Sequence, residues 1–257
     1  MRLTVLGCQG GSTPARRLPG LLLDGTVLLE AGSVTSTLGL AEQLEIRQVL
    51  LSHAHLDHIG GLAYLADNRG CHRLSSGNVQ TLAVSSIAPV VEDIRAHFFN
   101  ERIWPDFSTL PTAEDPVLRL HTLRPDEPNR IGERLTVIPI LVNHTVPTTG
   151  FIVHDGVSAL VFSGDTGPTE RLWEVARNLR GVRAIIVETS FPNRLDRLAE
   201  LSGHLTPARL ARELDKMPPC PVWVYHIKPM FYDETVDELD RLDGRVRVLR
   251  DGEIQVL

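Results

Sequence analysis

Cysteine is scarce in this chain. Cys8, Cys71 and Cys220 are the only three in 257 residues, they lie far apart, and no CxxC pair occurs. That excludes a disulfide framework and fits a reducing, cytoplasmic setting. Long apolar runs are also missing: no uncharged stretch approaches the roughly 20 residues that a membrane span needs, so no membrane partner is expected. The opening "MRLTVLGCQGG" has only a short apolar run before its glycines, and a signal peptide is not expected. Positive charge is in deficit, with 26 Lys and Arg against 32 Asp and Glu and a net charge of −6. This balance argues against a broad polyanion-binding surface and therefore against nucleic acid as a partner. Repeats, low-complexity tracts and an interdomain linker are absent as well. What is present is ordinary for a globular protein, at 42% hydrophobic and 23% charged residues, with enough length to bury a substantial core.

Short apolar runs punctuated by Gly and Pro read as strands at 2–7, 20–25, 26–32 and 47–52, with a helix over 35–45. A further helix is expected from about Ile59, and a strand followed by a helix over 81–99. Five prolines between 100 and 130 predict a loop-rich stretch. Strands resume at 134–144, 149–156, 158–165, 182–190 and 221–226, with helices near 169–179 and 206–216 between them. The end, 245–257, reads as a hairpin turning at Asp251 and Gly252. Leading strands followed by alternating strands and helices predict two sheets packed face to face with helices outside.

Against this background "HAHLDH" at 53–58 is unusual, because three histidines and an aspartate follow directly on the apolar "QVLL". Imidazole is the commonest protein ligand for transition metals. The alternate spacing of His53, His55 and Asp57 lets an extended backbone turn all three to one side, whereas His58 must project differently. Two orientations point to two adjacent ions, and these need more ligands than the cluster holds. His144, Asp165 and His226 each end an apolar strand, as the cluster does, and strand ends are where sites gather in layered α/β folds. The expected assignment is His53, His55 and His144 to one ion and Asp57, His58 and His226 to the other. Asp165 would bridge them with its two oxygens. Zinc is the first expectation for the two divalent ions, with manganese and iron also acceptable to this ligand set.

The pattern resembles the metallo-β-lactamase superfamily, whose HxHxDH signature stands here at 53–58, followed in order by His144, Asp165 and His226. The resemblance covers nearly the whole chain. It implies an α/β fold, the four-layer αβ/βα sandwich of two mixed sheets, as a single domain over 1–257 with a loop-rich cap or insert near 97–130. One departure is visible: the superfamily often carries aspartate after the early strand, where "LEAGS" offers Glu30. Within the superfamily, the opening "LGCQGGSTPARRLPG", "HFFNERIWPDF" (97–107), "ETS" (188–190) and "GHLTP" (203–207) are similar to class II cyclic nucleotide phosphodiesterases. The last two are similar also to the tRNA 3′-processing endonucleases.

This resemblance implies a metal-dependent hydrolase that opens 3′,5′-cyclic AMP or GMP to the 5′-monophosphate, with Asp57 in the catalytic set. His204, just ahead of the helix-starting pair Thr206 and Pro207, would contact phosphate or protonate the leaving oxygen. Glu188 would orient His204 or a ligand histidine. In the 97–107 segment Trp104 could stack on the base while Asn100 and Asp106 read its edge. Arg16 and Arg17 are phosphate contacts or a solvated pair. A tRNA-processing endonuclease is the nearest alternative, disfavoured by the acidic balance and the lack of a basic substrate arm. A thioester or lactam hydrolase follows, and then a binding module without turnover. An isologous homodimer is the default assembly.

Overall fold

The computed structural model describes residues 1–77 and 79–257, and of Ser76 the backbone alone. Two seven-stranded sheets pack face to face. The first contains β1 (Arg2–Gly7), β2 (Gly20–Leu23), β3 (Val27–Leu29), β4 (Gln48–Leu50), β5 (Leu82–Ser86) and β6 (Leu118–Thr122). The second is built from β7 (Asn129–Ile131), β8 (Leu135–Leu141), β9 (Thr149–His154), β10 (Ala159–Phe162), β11 (Val182–Glu188), β12 (Val222–Tyr225) and β13 (Val246–Val248). The last strand, β14 (Ile254–Val256), returns to the first sheet beside β1.

Helices cover both outer faces. Over the first sheet lie α1 (Val34–Thr37), α2 (Leu40–Glu45), α3 (Leu56–Ser76) and α4 (Ala88–Asp93), the last running on into one π-type turn, Ile94–Phe98. The second sheet carries α5 (Arg171–Asn178), α6 (Asp196–Ser202), α7 (Pro207–Leu214) and α8 (Tyr232–Leu239) on its side of the chain. None of the described helices is long and apolar enough to cross a membrane.

The alternation of side chains along each strand explains why these runs are apolar throughout. Leu160 and Phe162 of β10 and Ala184 and Ile186 of β11 face the core between the sheets. Their neighbours Ala159, Val161, Ile185 and Val187 face the outer core under α5 and α7. A strand covered on both faces has no solvent side to make polar. Full burial of each large side chain contributes roughly 1.5–3 kcal/mol.

Two expectations are corrected and one is refined. The 35–45 helix is two short pieces, α1 and α2, broken at Leu38 and Gly39. The 100–130 stretch is loop-rich as expected but also holds β6 and the start of β7, the former extending the parallel run β3–β4–β5. The expected terminal hairpin does not form: β13 pairs with β12 in one sheet and β14 with β1 in the other. At the crossing, the Asp251 carboxylate accepts the Cys8 and Arg17 backbone N–H groups at 3.0 Å each, so the turn is tied to the N-terminal loop.

Parallel pairing sets the position of the site. β3, β4, β5 and β6 run one way in the first sheet, as do β10, β11, β12 and β13 in the second. The carboxyl ends of several strands therefore release the chain where the residues described next converge, as open α/β sheets commonly do.

Candidate metal centre

His53 follows β4 in an extended segment, and His55 is the residue immediately before α3. The helix begins at Leu56, three residues earlier than expected, which puts Asp57 and His58 on its first turn. The first helical turn suits the Asp57 carboxylate, because unpaired backbone N–H groups leave partial positive charge there. Gly32 makes room for this turn: a β-carbon on it would lie 2.1 Å from the Asp57 carbonyl oxygen.

The structure brings all seven sequence-predicted ligands together. The donor atoms of His53, His55 and His144 lie within 4.8 Å of one another, as do those of Asp57, His58 and His226, and those of His53, His58 and Asp165. Closer distances separate the facing atoms. His55 Nδ1 is 3.4 Å from His144 Nε2, and His58 Nε2 is 3.2 Å from His226 Nε2. Asp165 Oδ2 lies 3.2 Å from His226 Nε2, 3.4 Å from His58 Nε2 and 3.9 Å from His53 Nε2. Asp57 Oδ2 is 3.3 Å from His226 Nε2. Two donors about 2.0–2.1 Å from a tetrahedral ion stand about 3.3–3.4 Å apart, so the spacing suits cations lying between these atoms.

The outer ring nitrogens are held from behind. His53 Nδ1 is 2.9 Å from Ser52 Oγ, and His58 Nδ1 faces Glu30 Oε2 at 3.2 Å, an ion-pair contact outside hydrogen-bond geometry. His144 Nδ1 donates to the Gly203 carbonyl at 2.9 Å, and His226 Nδ1 is 3.0 Å from Ser190 Oγ. Each contact leaves Nε2 facing inward, the usual arrangement of ligand histidines. His53 Nε2 is buried and hydrogen-bonds to no described residue. A buried polar atom without a partner is costly, and a cation would satisfy it. The residues present therefore fit a pair of divalent ions.

Electrostatics agree with that fit at four of the five candidate ligand histidines. Burial lowers His53, His55, His144 and His226, which keeps their lone pairs available. Burial also opposes charge on His58, but the Asp165 and Glu30 carboxylates outweigh it and raise His58 well above the usual imidazole range. Asp165 is pushed up by burial and pulled down further by His226 and His58, ending well below the ordinary carboxylate range.

Two site residues adopt left-handed backbone despite carrying side chains, His226 at φ 71° and Glu30 at φ 60°. Such strain persists where surrounding contacts over-determine a residue. Glu30 stands where the resemblance implied aspartate, and its longer side chain spans two partners. One oxygen accepts the Ser52 N–H at 3.0 Å while the other approaches His58.

His204 adjoins the triads, with a donor atom within 4.8 Å of those of His144 and Asp165. Its Nδ1 is 3.0 Å from Glu188 Oε1 and 3.2 Å from Ser190 Oγ, and its ring stacks on that of His226 with centroids 5.5 Å apart. Burial opposes its charge, but Glu188 wins and raises it. Thr206 caps α7 as expected, accepting from the Arg209 N–H at 3.3 Å.

Sequence reasoning missed three residues here. Ser190 donates to Glu188 Oε2 at 3.0 Å and so links that carboxylate to His226. The Tyr225 hydroxyl donates to Asp165 Oδ1 at 3.2 Å, and Lys228 Nζ is 3.9 Å from Asp57 Oδ2. Their nearness to Glu188 and His226 in the chain was the available signal.

The 97–107 segment goes elsewhere. Trp104 donates its indole N–H to the Ala63 carbonyl on α3 at 3.1 Å and packs edge-on against Tyr64. Asn100 accepts the Ile103 N–H at 2.8 Å, and Asp106 accepts from Ser108 Oγ at 2.6 Å. Trp104 thus packs on α3 while Asn100 and Asp106 bond within their own turns, and none of them lines either cavity that includes His144. Arg16 lies over the Tyr232 ring and Arg17 donates to the Leu6 carbonyl, so both guanidinium groups have local partners.

Residues 34–227 match the family described as beta-lactamase superfamily domain. The chain belongs to this family. Among its relatives is a probable 3′,5′-cyclic-nucleotide phosphodiesterase of Yersinia pestis, 28% identical over 72% of this chain and 58% of that protein. A 3′,5′-cyclic-nucleotide phosphodiesterase of Aliivibrio fischeri is 27% identical over 81% of this chain and 71% of the relative. The chain thus spans less than two thirds of the Yersinia protein's length. In fold, this beta-lactamase superfamily member superposes on the crystal structure of unliganded yeast PDE1 with a TM-score of 0.82. That match has 19% identity and covers 100% of this chain and 99% of the other.

Proposed function

We propose that the protein is a dinuclear metal phosphodiesterase that hydrolyses 3′,5′-cyclic nucleotides to 5′-monophosphates, with zinc as the first candidate metal. The observation that carries this reading is the pair of triads meeting at Asp165 Oδ2, which lies within 3.9 Å of three inward-facing imidazole nitrogens. His53, His55 and His144 would hold one ion, Asp57, His58 and His226 the other, and Asp165 would span both. Divalent ions in such a site lower the pKa of water towards neutrality and offset charge on phosphoryl oxygens. The names of the Yersinia and Aliivibrio relatives support a cyclic nucleotide as the diester.

The chain's own groups supply the remaining parts. Lys228 offers a cation at the mouth of the site, 3.9 Å from Asp57, where an anionic diester would arrive. Glu188 and Ser190 hold His204 by Nδ1, so Nε2 is the atom left to contact the phosphoryl group or protonate the departing 3′-oxygen. Complete burial of His53, His58 and His226 limits bulk water behind the reacting centre.

The test is ring opening of cyclic AMP and cyclic GMP by zinc- or manganese-loaded protein, beside bis-p-nitrophenyl phosphate and an Asp57→Ala control. Formation of 5′-monophosphate that disappears with chelator and in the control supports the reading. Turnover of the synthetic diester alone would retain the metal chemistry and remove cyclic nucleotides as substrate.

A further inference from the structure

A groove of about 670 Å3 opens beside the candidate metal centre, with Ile87, Pro89, Arg124, Leu141, His144 and Val146 among its lining residues. Its walls come from both sheets. Ile87 and Pro89 follow the end of β5, Arg124 follows β6, and Leu141 and Val146 belong to the β8–β9 corner. His144 belongs both to this groove and to the first triad. A smaller cavity of about 280 Å3 also includes His144, together with His204 and Arg209.

We infer that the larger groove receives the nucleobase of the substrate. This deepens the phosphodiesterase reading and rests on it. A nucleoside whose phosphate lies at the triads has two cavities leading away from His144. The smaller one, of about 280 Å3, is walled by His204 and by Arg209 and Glu200, which pair with each other at 3.8 Å, and it offers less room and less apolar surface. The larger one presents Ile87, Pro89, Leu141 and Val146, and Leu141 remains 53% exposed although it is a large apolar side chain at the end of a strand. A base needs apolar surface for its faces and polar groups for its edge. Arg124 and the hydroxyls of Thr122 and Thr145 supply the latter at the same groove. The Arg124 side chain is held 3.1 Å from Glu127 in an exposed pair, an interaction weak enough to yield to a ligand.

Two variants and two substrates test this. Val146→Glu places a carboxylate in the groove, and Leu141→Ala removes exposed apolar surface without burying anything new. Cyclic AMP is compared with methyl p-nitrophenyl phosphate, which carries the same single negative charge and no base. Val146→Glu should lower kcat/KM for cyclic AMP about tenfold and Leu141→Ala about threefold, while the methyl ester changes less than about twofold. Separately, saturation-transfer NMR of metal-free protein should detect adenosine or guanosine binding that both variants weaken. Equal losses on both substrates, no loss on either, or nucleoside binding that survives both variants would overturn the assignment. Should the methyl ester be turned over and cyclic AMP not, the cyclic-nucleotide reading fails by itself and nucleoside binding alone decides the groove.

Discussion

The two sheets contribute to the candidate centre in different ways. From the first sheet, one junction between β4 and α3 delivers His53, His55, Asp57 and His58 within six residues, while Glu30 after β3 steadies His58. From the second sheet, each strand end gives few residues: His144 after β8, Asp165 after β10, Glu188 closing β11 and His226 after β12. The first half is local and depends on one helix start. The second half exists only because parallel strands end at one edge. The difference teaches that a metal centre can be half motif and half topology.

The largest expected effect breaks the centre where the halves meet. On the proposed dinuclear reading, Asp165→Ala removes the carboxylate between them and should lower metal content from two ions to less than one. Diester turnover should fall on the order of 10³-fold or more. His55→Ala touches one triad and should leave about one ion. Metal analysis after gel filtration decides, and equal metal loss in both variants would contradict a shared Asp165.

A smaller effect compares the supports behind each half. Glu30→Gln acts on His58 of the first sheet, and Ser190→Ala acts on His226 of the second. Each should cost roughly 10–100-fold in metal affinity or activity. Only Ser190→Ala also loosens the Glu188 and His204 contacts, so it should lower kcat even at saturating metal. If metal saturation restores both variants fully, Ser190 has no role beyond holding the ligand.

The smallest effect concerns stability. Gly32→Ala drives a β-carbon to 2.1 Å from the Asp57 carbonyl and should destabilise by about 1–3 kcal/mol. A matching change at Gly244, which faces open space, should be near neutral. Thermal unfolding of the metal-free proteins measures the difference, and equal midpoints would show that α3 shifts freely.

Much of this was legible in advance. The strand runs were visible because both faces of each central strand are buried. The candidate ligands were visible because four are clustered at 53–58 and His144, Asp165 and His226 each follow such a run. Trp104, Asn100 and Asp106 were ambiguous in the sequence, since an aromatic and polar segment can serve a substrate or local packing equally well by composition. In the structure their polar groups are committed to α3 and to the local turns. Ser190 and Tyr225 carried only their nearness to Glu188 and His226 as a signal, a weak one because a serine or tyrosine beside an acidic or histidine residue has no distinctive spacing.

The sequence alone determined the elements and the candidate chemistry: the apolar alternation, the HxHxDH motif and the histidine or aspartate that follows three of the apolar runs. These are local properties, set by side-chain type and spacing along the chain. Tertiary structure decided the rest. It placed β14 beside β1 rather than β13, turned His58 towards Glu30, joined Ser190 to both Glu188 and His226, and opened the apolar groove at His144. Each of those depends on which distant strands become neighbours, and that follows from the packing of two whole sheets rather than from any single segment.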